Sequence, residues 1–456
     1  MSDNVEYRSR SCYEVFSERV LKEEVESMAR EYIQFLSSCK TERETVGWVE
    51  EACLNQGRFS QGMGDVFYRK IKEKTIVLVR KGRRPLKEGM RLIGAHLDTP
   101  RIDLKQHPLY EECELALAKT HYYGGIRKHQ WFSIPLALHG VVVKIDGRKV
   151  SISIGESPGD PVVVISDLLP HLARRQNQKK LSDAFEAEKM NVILGSLPEQ
   201  KEDEKGENKC VKLAILNLLY SRYGIIEEDL YSAELQLVPA GPARYVGLDA
   251  SLIGGYGQDD RICVFCALRA FFDTPFPEYT QMVVFWDKEE IGSEGATSAQ
   301  SRVIEYLVEE MIDAWEEKTR PSQVFLNTKA ISADVHCAMD PAYQDLHDKL
   351  NASLLGYGPV FCKFTGHRGK IGANDATAEY IAFLRALLNG KDIPWQMAEL
   401  GKVDEGGGGT VAKFLARYGM DVVDLGPPVL GMHSPFEVSS KVDLYATYLS
   451  YVEFLR

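Results

Sequence analysis

Between residues 259 and 456 the chain alternates short apolar runs with longer amphipathic ones, and this alternation restricts the fold more than any single residue does. A helical pattern covers 259–272 and an apolar strand pattern 281–286. A helical run at 299–316, a strand near 328–333, helical runs at 374–389 and 408–418, and a last helix at 441–456 with Ser439 placed to cap it complete the series. Such a series buries best as a sheet with helices on both faces, so the fold class is α/β with a mostly parallel sheet. Upstream, 13–38 reads as one amphipathic helix and 41–55 as a second, opened by the capping-box spacing of Thr41 and Glu44. Strand-like runs follow at 65–70, 75–81 and 91–95.

The stretch 131–166 changes character: β-branched and polar residues alternate around an Asp146-Gly147 turn, which reads as an antiparallel β module. Residues 170–209 are charged and helix-like, and their last part, 197–209, is too polar to bury apolar surface and reads as an exposed loop. At roughly 100–200 residues per domain, a chain of 456 residues suggests two. The economical partition is a catalytic domain built from 1–102 and 246–456, interrupted by a β-rich insertion at 103–245.

A net charge of −11 argues against nucleic acid, because a phosphate backbone needs a basic face. No stretch approaches the ~18 apolar residues of a membrane span, and the first residues lack a signal-peptide core, so a cytoplasmic protein is expected. Nine scattered cysteines fit reduced thiols better than a disulfide framework. The CxxC of Cys263 and Cys266 lies in an apolar helical run and is expected to pack in the core.

In open α/β sheets ligands bind beyond the carboxyl ends of the strands, and ligand-type residues stand at those places here. His96 follows RLIGA, Asp259 precedes a helix in GYGQDDR, Glu289 and Glu290 follow MVVFW, Asp334 follows KAISA, and His433 follows VVDLGPPVLGM. Two imidazoles and three carboxylates can hold two divalent metals if one carboxylate bridges, and a hydroxide would bring the cluster near neutrality. Asp98, two residues after His96, is placed to orient the imidazole. If the Glu289–Glu290 pair is extended, its side chains diverge, so one can bind metal while the other reaches the attacking water. Each piece alone has a structural explanation; five at successive strand ends do not arise easily by accident.

GAHLDTP, GQDDR, DKEEIGS, SADVH and GMHSPFE, in this order, resemble the aspartyl aminopeptidase family of dinuclear zinc metallopeptidases. The resemblance implies that His96 and Asp334 hold one metal and Glu290 and His433 the other, that Asp259 bridges and that Glu289 is the catalytic base. Asp260 is the alternative bridge, and the resemblance implies a cis peptide at Asp259–Asp260. It further implies two zinc ions, with cobalt or manganese as alternatives. The insertion would be a dimerisation domain building a dodecamer, with His139 of IPLALHG reaching a neighbouring subunit's site. Read by itself, His139 is a packed strand histidine.

The loop FTGHRGKIGANDA offers His367, Arg368 and Lys370 to an acidic side chain or a substrate carboxylate. GKVDEGGGGT at 401–410 could bring backbone close to substrate but lacks the ending of a phosphate loop. Cys337 and Asp340 stand where many relatives carry histidines after the SAD aspartate, which weighs against acidic specificity. The expected activity is removal of N-terminal residues from peptides. A deacylase or carboxypeptidase on a related scaffold, and a noncatalytic assembly protein, are the rivals.

Overall fold

The structure is a computed structural model that describes residues 5–60, 62–203 and 206–456. By contacts the chain forms two units, one of Met1–Thr99, Ala243–Met432 and Glu437–Arg456, the other of Pro100–Pro242 with His433–Phe436. The second unit therefore also takes in a short segment that the sequence partition keeps with the second catalytic part.

The first unit is built on an eight-stranded sheet. Its order is Val66–Ile71, Thr75–Arg80, Thr280–Trp286, Met90–His96, Lys329–Ser332, Asp421–Gly426, Val360–Cys362 and Gln396–Met397. The three pairings joining Thr280–Trp286 to Asp421–Gly426 are parallel, as is that of Val360–Cys362 with Gln396–Met397; the other three of the seven are antiparallel, so the sheet is mixed around a parallel centre. Val66–Ile71 and Thr75–Arg80 form a tight hairpin that adds antiparallel strands at one edge, and Val360–Cys362 runs antiparallel to Asp421–Gly426. Tight turns give antiparallel neighbours, whereas parallel ones require a crossover.

Alternation along the strands divides the side chains between two cores. Ile76, Leu78, Ile93, Val283 and Phe285 pack with Tyr32 and Phe35 of the Glu26–Ser38 helix, Phe265 and Phe271 of Gln258–Asp273, and Tyr451 of Lys441–Leu455. Val77, Val79, Leu92, Met282 and Val284 pack with Leu307 and Met311 of Val303–Ala314, Phe325 of Pro321–Leu326 and Leu415 of Ala412–Ala416. Burial on both faces explains why these strands read as continuous apolar runs. The interruption is a row across neighbouring strands, where Gly94, Ser332, Asp424 and Cys362 stand in register. A second sheet of this unit joins Arg244–Val246, Leu252–Gly255, Glu437–Ser440, Pro428–Leu430 and His336–Cys337.

The other unit holds a six-stranded antiparallel sheet in the order Lys149–Ile154, Leu136–Val143, Ala233–Pro239, Arg101–Glu112, Leu115–Tyr123 and Val192–Gly195. The turn expected at Asp146-Gly147 lies between its first two strands, with Gly147 at φ 83.

Several local expectations need correction. The helix expected at 13–38 breaks at Phe16, because Ser11 and Ser17 each cap a separate short segment. Residues 170–190 form only short turns, including Pro170–Leu172, Gln176–Gln178 and Leu181–Ala184, since they lack a sustained apolar stripe. The expected loop at 197–209 instead pairs Glu199–Asp203 with Gly206–Cys210; residues 204 and 205 lie outside the described residues. The last helix is capped at Ser440, while the Ser439 hydroxyl donates to Gln258. The Thr41/Glu44 capping box is present at the Glu42–Asn55 helix.

Asp424 is buried in the polar row. Burial pushes its carboxyl from the ordinary 3.8 up to about 6, while the Ser332 and Thr410 hydroxyls hold it down. A raised folded-state value means its contribution to stability is full below about pH 4 and is lost as pH rises through about 6. In urea denaturation, wild type should therefore lose stability relative to Asp424→Asn between pH 4 and 6.5. A constant difference across that range would show that Asp424 does not titrate in the fold.

Candidate metal centre

His96 ends the strand Met90–His96, and pairing continues one residue further, where the Leu97 amide donates to the Trp286 carbonyl at 2.7 Å. This sets the end of one parallel strand beside the end of the next, Thr280–Trp286, whose continuation bears Glu289 and Glu290. The imidazole is 2% exposed. Its Nδ1 lies 2.9 Å from the Asp98 carbonyl oxygen, which can only accept, so Nδ1 carries a hydrogen. Its Nε2 lies 3.1 Å from Asp259 Oδ1.

Asp98 meets His96 mainly through its backbone. The backbone carbonyl, not the carboxylate, is the nearer partner of His96 Nδ1; the carboxylate oxygen is at 3.5 Å. The carboxylate accepts instead from the Glu289 amide at 3.0 Å and the Glu290 amide at 3.1 Å. The two glutamates differ from the extended pair expected: Lys288 is left-handed at φ 71 and Glu289–Ile291 is one 3-10 turn. Ligand atoms of His96, Glu289 and Glu290 nevertheless lie within 4.8 Å of one another.

The carboxylates around His96 converge from several elements. Asp259 and Asp260 open the Gln258–Asp273 helix, joined by a cis peptide bond. Asp260 is fully buried, and its Oδ2 accepts from the His96 amide at 3.2 Å. Ligand atoms of His96, Asp260 and Asp334 form a second group within 4.8 Å. Asp334 follows Lys329–Ser332, and its backbone leaves no room for a side chain at residue 426. A Cβ on Gly426 would meet the Asp334 carbonyl oxygen at 2.1 Å.

Burial pushes the carboxyls of Asp260 and Asp334 well above the carboxylate range, and the mutual repulsion of the surrounding acids adds to it. Burial lowers the basicity of His96, but Asp259, Asp98 and Asp260 outweigh it and raise it well above the ordinary value. The 3.1 Å approach of His96 Nε2 to Asp259 Oδ1 calls for positive charge between them, either a proton on the imidazole or a cation that takes its place. A divalent cation fits this donor set of imidazole and oxygens.

The other predicted residues have separate settings. His433 lies in the 433–436 segment of the second unit at φ 67, with Nδ1 3.2 Å from the Gly125 carbonyl oxygen. His139 is buried in Leu136–Val143, with Nε2 3.0 Å from Glu156 Oε1. His367, Arg368 and Lys370 are exposed, and Lys370 pairs with Asp375 at 3.0 Å. Gly407–Gly408 pairs with Gly366–His367, so the glycine run contacts this basic loop. Cys263 and Cys266 are fully buried, with thiols pushed up by burial, as expected of packing cysteines. His336 does not pair with Asp334; its Nδ1 faces the Cys337 carbonyl and the Ser353 hydroxyl, each at 3.1 Å.

Sequence reasoning missed two supports. Glu437 accepts from the Asp259 amide at 3.1 Å, and Asp287 anchors the glutamate turn to Thr297. Both acids sit inside the recognised motifs GMHSPFE and DKEEIGS, but only the fold shows what they hold.

The family model "Aminopeptidase I zinc metalloprotease (M18)" matches residues 35–455. A "Probable M18 family aminopeptidase 1" of Borrelia garinii subsp. bavariensis is 45% identical over 448 residues, covering 95% of this chain and 97% of that protein. The crystal structure of an M18 family aminopeptidase from Thermotoga maritima is 44% identical, with TM-score 0.93 over 99% of this chain and 100% of that one. That of aminopeptidase I from Clostridium acetobutylicum is 41% identical, with TM-score 0.91 and the same coverage.

Replacing Asp98 with alanine leaves two amide donors without their carboxylate. Asp98→Ala should cost about 2–4 kcal/mol, seen as a lower urea midpoint with an unchanged slope. A wild-type midpoint would contradict the bracing role.

Proposed function

The chain belongs to the aminopeptidase I zinc metalloprotease (M18) family, and from that premise we propose that it removes N-terminal residues from peptides at a two-metal centre. Family membership sets aside the deacylase, carboxypeptidase and noncatalytic readings. The observation that carries the proposal is the convergence of His96, Glu289 and Glu290, with Asp98 holding both glutamate amides.

His96 and Asp334 are proposed to hold one ion, Glu290 and His433 the other, and Asp259 to bridge. Zinc, when bound, supplies Lewis acidity that makes water nucleophilic near neutral pH and polarises a carbonyl. Both imidazoles suit the role, because each sets Nδ1 against a backbone carbonyl, which places the ring lone pair on Nε2. Glu289 takes the proton of the attacking water and passes it to the departing amine. Glu290, next on the same turn, is held at the same height by Asp98.

The charge of Arg368 and Lys370, beside His367, favours an acidic N-terminal residue, although Asp375 already occupies Lys370. His139 is proposed to act in a neighbouring subunit's site. The Pro100–Pro242 unit is proposed to mediate self-association into a dodecamer, supported by the exposed Leu168, Leu169, Leu172 and Leu181.

Wild type and Glu289→Gln should be assayed with Asp, Glu, Leu, Lys and Arg aminoacyl substrates, with zinc content measured. Glu289→Gln should keep its zinc and lose turnover by about 100-fold or more; near-normal turnover would overturn the mechanism. Wild type should favour Asp and Glu, and a preference for Leu, Lys or Arg would remove the acidic reading alone. Sedimentation should give twelve times the 51.3 kDa chain mass, and a monomer would refute the assembly.

A further inference from the structure

The turn bearing Glu289 and Glu290 is held from two sides. Asp98 grips its amides; behind it lies a network of charged groups that has no place in the mechanism above. Asp287, between the Thr280–Trp286 strand and the turn, is fully buried. Its carboxylate accepts from the Thr297 hydroxyl at 2.7 Å and from the Lys288 ammonium, and its amide donates to the Thr297 carbonyl at 3.1 Å. The same carbonyl receives the Thr75 hydroxyl.

Lys74 extends the network into a different part of the chain. It stands between the strands Val66–Ile71 and Thr75–Arg80, where its ammonium lies 2.9 Å from Glu42 and 3.6 Å from Asp287. Glu42 is buried at the first position of the Glu42–Asn55 helix. The carboxylates of Glu42 and Asp287, with Asp98 acting on Asp287 from nearby, face the ammonium groups of Lys74 and Lys288. Paired, hydrogen-bonded charges of this kind have few alternative arrangements, because displacing one strands another. The Lys288 ammonium also donates to the Thr297 hydroxyl at 2.9 Å, which closes the loop 287–297 on itself.

We propose that Glu42, Lys74 and Asp287 are positioning residues that set the height of the Glu289–Glu290 turn, so that the Glu42–Asn55 helix and the hairpin determine where the base stands. The inference rests on the assignment of Glu289 as that base. A displacement of about 1 Å at a reacting group can cost as much as 100-fold in rate, so the network acts on turnover without touching substrate.

The test uses the full-length, zinc-loaded chain with Lys74→Met, Lys74→Arg and Thr297→Val, and Glu289→Gln as reference. Thr297→Val keeps the side chain's shape and removes one hydroxyl, so it reports even if Lys74→Met folds poorly. Lys74→Met and Thr297→Val should hold wild-type zinc and keep KM within about twofold while kcat falls about tenfold. Lys74→Arg should restore most of kcat, and the acid limb of the kcat–pH profile should move in Lys74→Met but not in Lys74→Arg. If Lys74→Met and Thr297→Val melt earlier but keep wild-type kcat and acid limb, the network is structural only and the proposal fails. In that case an inactive Glu289→Gln leaves the base assignment standing; an active one removes the base assignment and the proposal together.

Discussion

The carboxylate of Asp98 is the interaction on which the site depends. It projects from the chain just past one central strand and accepts both amides of the glutamate turn that follows the neighbouring strand. Parallel pairing brings the two strand ends level, and the Leu97–Trp286 hydrogen bond carries that pairing to the last residue. Asp98 then converts adjacent strand ends into a fixed relation between an imidazole and two glutamates. A side chain that reached only His96 would orient one ring; this one ties a ring to a turn, because its own carbonyl holds the ring and its carboxylate holds the turn.

The second constraint is electrostatic. Asp259, Asp260, Asp334 and the glutamates crowd a buried imidazole, and burial with mutual repulsion drives carboxyl groups toward their neutral forms. A fold tolerates such a cluster when a cation shares it, since positive charge relieves both desolvation and repulsion. Elsewhere the same fold uses internal pairing: Glu42 and Asp287 face Lys74 and Lys288.

Much of this was legible in the chain. Continuous apolar runs such as Thr280–Trp286 announce strands buried on both faces, and the ligand-type residues fall directly after them. The mixed character of the sheet was not, because parallel and antiparallel neighbours bury similar runs and only the connections distinguish them. Residues 170–190 misled for a different reason: charged composition suits helices, but without an apolar stripe there was nothing to pack. Asp98 was recognised as a supporting residue for His96, but the further partners of its carboxylate were not, since sequence spacing shows that it can reach His96 and not that its carboxylate also turns toward residues 289 and 290. Glu437 and Asp287 were hidden in the same way, their partners lying 178 and 10 residues away.

Anomalous scattering at the zinc absorption edge, from crystals of the zinc-loaded chain, tests the central claim most directly. The account requires two peaks, one about 2.0–2.2 Å from His96 Nε2 and an Asp334 oxygen, the other at that distance from a Glu290 oxygen, with Asp259 touching both. A single peak, or two peaks that Asp259 does not join, would contradict it.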